Sequence, residues 1–151
     1  MCRLIKVHSK KDQMPQLTLI QLKYESDTWK RLLGIMIDEN IHLKTRLVEI
    51  LKCINDKNLL EEMENFHSRF IKEDELIGLL RHQIAELDQL MAKEIYEDLK
   101  IKNEINGKSK TLRDNISIAE SKFTKLKLEF SDFISEMLNE NNRQYFLSKT
   151  G

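Results

Sequence analysis

Residues 29–54 read WKRLLGIMIDENIHLKTRLVEILKCI, and the spacing of their apolar side chains decides the fold. Trp29, Leu33, Met36, Asn40, Leu43, Leu47, Ile50 and Ile54 follow one another at alternating steps of four and three. That period keeps one stripe of a helix turned toward a neighbouring helix along its whole length. With Leu33 as an a position, Trp29 and Met36 are d positions, and Leu19 and Leu22 extend the register upstream. Leu32, Ile37 and Leu51 widen the stripe at e and g, so this helix calls for more than one neighbour. Its start is expected near 16, with Pro15 tolerated in the first turn, or near 27, with Ser26 or Asp27 as cap. It should end near 54, because Asn55, Asp56, Lys57 and Asn58 make a polar turn.

Two further tracts repeat the pattern. Leu59, Met63, Phe66, Phe70, Glu73, Ile77, Leu80, Ile84, Leu87 and Met91 form the second. It shifts to Ile95 and Leu99 and blurs through Ile101 and Ile105 before Asn106 and Gly107, a helix-stop signal. A helix over 58–105 follows, with Lys72-Glu73-Asp74-Glu75 as the place for a kink. Leu112, Ile116, Ala119, Phe123, Leu126, Phe130, Phe133 and Met137 form the third tract, a helix over 110–139. Residues 1–14 and 140–151 read as tails around one helical domain at 15–139.

Composition agrees with long rods. Four Gly and one Pro in 151 residues are too few for the many turns of a sandwich, barrel or α/β fold. Lys plus Arg and Asp plus Glu number 25 each, so no global field draws the chain to a polyanion. The charges are segmental: residues 56–104 hold thirteen acidic against seven basic side chains, and residues 105–130 six basic against three acidic. Neighbouring segments of opposite sign are expected to fold onto each other. Cys2 and Cys53 offer neither a disulfide framework nor a zinc spacing. No run of 18 apolar residues and no signal-peptide core is present, which points to a soluble, cytoplasmic protein. The lysine-, isoleucine- and asparagine-rich usage has the look of an AT-rich bacterial genome.

Short connections make sequential helices antiparallel. Folded about 55–58, Ile54 meets Leu59, Ile50 meets Met63, Leu47 meets Phe66 and Leu43 meets Phe70. The next layer sets Asn40 against Glu73, the polar members of two otherwise apolar stripes, a layer able to fix register. Folded about 106–108, Phe123 meets Met91, Leu126 meets Leu87, Phe130 meets Ile84, Phe133 meets Leu80 and Met137 meets Ile77. The expected fold is therefore all-α: an antiparallel three-helix, coiled-coil-like bundle with a long central helix. Residues 38–75 would protrude from it as a two-helix hairpin. Such an arm exposes more apolar surface than monomers leave bare, so Ile37, Ile41, Val48, Leu51, Leu60 and Ile71 are the expected contact residues.

Catalytic and metal chemistry find less support in the sequence. Glu39-x-x-His42 and Glu64-x-x-His67 match the carboxylate–imidazole spacing that di-iron bundles use. In the heptad frame, however, His42 falls at c, His67 at e and Glu64 at b, and only Glu39 at g comes near the seam. No G-x-S-x-G, no cysteine–histidine pairing and no Gly-rich phosphate loop occurs. The basic stripe Lys122, Lys125 and Lys127 spreads over several faces of its helix, weakening a nucleic-acid reading. The expectation is a non-enzymatic scaffold or adaptor that self-associates as a homodimer or takes a helical protein partner. No cofactor, nucleic acid, membrane or small-molecule substrate is expected. The alternatives are a metal-binding bundle built on Glu39, His42, Glu64 and His67, and a nucleic-acid accessory protein.

Overall fold

The computed structural model describes residues 18–93 and 99–150, the last ten of these by backbone alone. Three helices account for nearly all of it: α1 over Leu19–Leu51, α2 over Lys57–Lys93 and α3 over Leu99–Thr150. They form an all-α, three-helix bundle, the expected fold class. The expected tail at 1–14 lies outside the described residues.

The starts of α1 and α2 each have a local cause. Thr18 caps α1: its side chain accepts from the Gln21 amide at 3.2 Å, and Gln21 Oε1 accepts from the Thr18 amide at 2.8 Å. This reciprocal box places the start at Leu19 and displaces both expected starts, near 16 and near 27. The helix ends at Leu51 rather than near 54. At the polar turn, Asp56 Oδ1 accepts from the Asn58 amide at 2.8 Å and its carbonyl opens α2 by accepting from Leu60. Across Lys72–Glu75 α2 is helical without interruption, so no break or restart divides it there.

The second reversal is not where the sequence placed it. Helix α2 is described as far as Lys93 and α3 from Leu99, so the reversal falls between them and not at 106–108. Gly107 is an interior helical residue, and its carbonyl accepts from Thr111 Oγ1 at 3.1 Å. The helix also continues to Thr150, through residues 140–150 of the expected tail. Asn-Gly is a stop only where the chain must leave the helix; in α3 the side chains of Ile105, Ser109 and Leu112 are buried and hold it in place.

Moving the reversal rebuilds the molecule. At about 1.5 Å per residue, the 52 residues of α3 reach roughly 78 Å, longer than α1 or α2 and able to line both. Phe130 does not meet Ile84. Its ring lies 5.2 Å from that of Phe66 and 5.1 Å from that of Phe70, both edge-on, and Phe133 lies 5.4 Å from Phe66. Residues 38–75 are therefore no protruding two-helix hairpin, because α3 covers them. Leu47, Met63, Phe66 and Phe70 share one core cluster with Leu126, Phe130, Ile134 and Met137. A second cluster joins Trp29, Leu33 and Met36 to Ile77–Met91 of α2 and Ile105–Phe123 of α3. Toward its end α3 buries Ile134 where Phe133 was expected, since a 3.6-residue helix drifts against a 3.5 repeat.

Candidate interaction surface

Between the two clusters lies the polar layer. Asn40 is fully buried, as its a position requires. Its amide nitrogen donates to the Phe70 carbonyl at 2.9 Å and to Asp74 Oδ1 at 2.6 Å, and Lys44 pairs with the other oxygen of Asp74. The α1/α2 alignment thus holds to within one residue, but the partner of Asn40 is Asp74 rather than Glu73. Glu73 sits beside it with Oε2 buried and without a hydrogen bond, as is Asn40 Oδ1. Burial pushes the Glu73 carboxyl above the usual range, partly countered by Lys122 and Arg69.

This arrangement recurs fourteen residues away. Ser26 donates to Asp88 Oδ1 at 2.7 Å while Lys30 pairs with Asp88 Oδ2 at 2.5 Å. Fourteen residues forward on α1 are fourteen back on α2, the displacement of two heptads in antiparallel helices. The α1/α3 seam follows the same step. Glu25 takes a bidentate pair from Arg113 at 2.7 and 2.6 Å, and Glu39 pairs with Lys127. Two copies of one clasp therefore fix the register of all three helices, and α1 runs parallel to α3. The Arg113 guanidinium and the Lys30 ammonium are both held above their ordinary values by these hydrogen-bonded carboxylates.

The seams determine which faces stay open. Lys30 and Lys44 occupy e positions against Asp88 and Asp74, also at e, so α1 and α2 meet along their e rows. The neighbouring b rows then look out from the α1/α2 side. All six sequence-predicted contact residues belong to these rows: Ile37, Leu51 and Leu60 at e are half-buried, and Ile41, Val48 and Ile71 at b are exposed. They share one face of the bundle although the arm that suggested them does not exist. Ile20 extends the row at 81% exposure. What sequence reading missed is the pair Gly34 and Gly78, at b on the same face and at the same level; their identical offset from Leu33 and Ile77 was a visible signal.

The ExxH residues do not assemble. Lys127 engages Glu39, whereas His42, Glu64 and His67 are exposed, and no group of three or more His, Cys, Asp or Glu side chains is placed to hold a metal among the described residues. On the α2/α3 side two shallow clefts open. One of about 260 Å³ is lined by Gln83, Glu86, Lys108 and Thr111, and one of about 300 Å³ by Arg69, Lys72, Lys122 and Lys125 with Glu73 and Glu129. Carboxylates line both, and the lysine stripe is divided: Lys127 is committed to Glu39, and Lys122 faces Glu73. No described helix is long and apolar enough to cross a membrane. Comparison with protein-family models, with curated proteins and with solved structures finds no match for this chain.

Proposed function

We propose that the chain is a non-enzymatic, coiled-coil-type scaffold or adaptor in the cytoplasm, acting through helix–helix contact with protein along the outer α1/α2 face. The observation that carries this reading is the apolar b row that remains after the bundle has closed. Ile20, Ile41, Val48 and Ile71 are 81%, 49%, 46% and 38% exposed on one side, flanked by half-buried Ile37, Leu51 and Leu60. Exposed apolar residues scattered singly need no explanation, but a row on one face fits a helix partner. Such a partner would bury these side chains while the clasps hold the bundle rigid beneath it.

The test is cross-linking in source cells with the full chain and with an Ile41→Asp/Ile71→Asp variant. Both sites are solvent-facing, so the variant should fold with unchanged helix content. Cross-links that map to α1 and α2 and disappear in the variant support the assignment; a pattern unaffected by the two aspartates overturns it.

A further inference from the structure

Gly34 and Gly78 sit at interior positions of α1 and α2, where glycine costs helix stability relative to alanine. A Cβ built at either meets nothing within 4 Å, so the bundle's own packing requires neither. Both stand at the same level of the outer α1/α2 face, one heptad from Ile41 and Ile71 respectively. Polar side chains straddle each glycine at the same spacing, three residues before and four after. Around Gly34 the order is Arg31 then Asp38; around Gly78 it is Glu75 then His82. Within the described residues Asp38 and Glu75 make no ion pair. Arg31 donates to Thr28 on its own helix at 3.3 Å, and His82 to Glu86 one turn along.

This pattern is self-complementary. A two-fold axis lying in the face, perpendicular to the helices and passing beside the glycines, reverses the order on each helix. Arg31 then meets the partner's Asp38, and Glu75 meets the partner's His82. The other isologous arrangement, with the axis parallel to the helices, sets Asp38 against the partner's Glu75, a like-charge contact. The missing Cβ atoms lie where the backbones must come closest, which is where glycine is useful. The face is about 50 Å long and about 20 Å wide, room for the roughly 800 Å² per partner that a standard interface buries.

We propose that the protein pairs with a second copy of itself across this face, about a two-fold axis beside Gly34 and Gly78. The inference rests on the reading of the outer α1/α2 face as the interaction surface and names its occupant. Sedimentation and light scattering of the purified full chain over a concentration series test it. The expected mass is twice the 18.0 kDa of one chain. Gly34→Gln with Gly78→Gln, which fills the crossing with a good helix former, should yield single chains that melt no lower than the parent. Arg31→Asp should weaken the dimer by at least about tenfold, and Arg31→Asp with Asp38→Arg should restore it. A dimer indifferent to these substitutions, or a charge swap that fails to restore pairing, overturns the proposal. So does a wild-type chain that stays single at every concentration; if its cross-links in cells still depend on Ile41 and Ile71, only the self-pairing falls and the scaffold assignment stands.

Discussion

The contact between Phe66 and Phe130 distinguishes a bundle closed along its length from one with a bare two-helix arm. Phe66 is 8% exposed and Phe130 is completely buried, with ring centroids 5.2 Å apart at 65°. Replacing either by alanine would cost about 3–5 kcal/mol, enough to endanger a domain stabilised by roughly 5–15 kcal/mol. Leucine is the better probe, since it keeps most of the apolar volume and removes the ring. Each single change should cost roughly 1–2 kcal/mol. The double variant should cost less than the two together, because the edge-to-face term, about 0.5–1.5 kcal/mol, is lost only once. Urea denaturation followed by circular dichroism gives all four stabilities. A coupling indistinguishable from zero, or a comparable coupling between Ile84 and Phe130, would refute the placement of α3 alongside residues 38–75.

Three more predictions bear on the turn, the polar layer and the clasps. Gly107→Ala should stabilise the chain by about 0.5–1 kcal/mol, since the site is helical with open space over it; a loss in the melting temperature would return the reversal to Asn106–Gly107. Burial shifts Glu73 toward its protonated form relative to the unfolded chain, so its contribution favours folding below its ordinary value of 4.5 and fades as pH rises through the raised one. Glu73→Gln should therefore be more stable than the parent at pH 7 by about 1 kcal/mol, with the gap closing toward pH 4; a gap that widens in acid contradicts the burial argument. Asp74→Ala should cost about 2 kcal/mol and Asp88→Ala about 1 kcal/mol. The Ser26 hydroxyl, once freed, can turn to a carbonyl of its own helix, whereas the buried Asn40 amide loses a partner it cannot replace; equal costs in denaturant melts would show that the two clasps are equivalent.

The wide stripe at 37–71 shows how a correct pattern led to a protruding arm that does not exist. By spacing alone Phe66, Phe70 and Leu47 suit the seam of a two-helix arm, and the apolar width around them suits a docking site. Part of that width was an internal demand, met by Phe130, Ile134 and Met137 of α3. The rest, at Ile41, Val48 and Ile71, does face outward, because b positions lie beyond the e–e seam whether or not a third helix is present. The blurring of the repeat after Met91 is the sequence signal of the reversal, and Asn106-Gly107 is a stop signal that the helix overrides. A helix turnaround needs no glycine, and an isolated glycine does not end a helix whose other face is buried.

Taken alone, the chain's residues determined helices, their a/d faces, the α1/α2 alignment to within one residue and a polar break at Asn40. All of these follow from spacing along a single helix or across one short turn. Tertiary structure decided which carboxylate Asn40 would find, how α3 aligns with its neighbours, and which apolar row would stay uncovered. Those outcomes depend on pairing between residues as far apart as Glu25 and Arg113, where the free energy of burying a third helix overrides local stop signals.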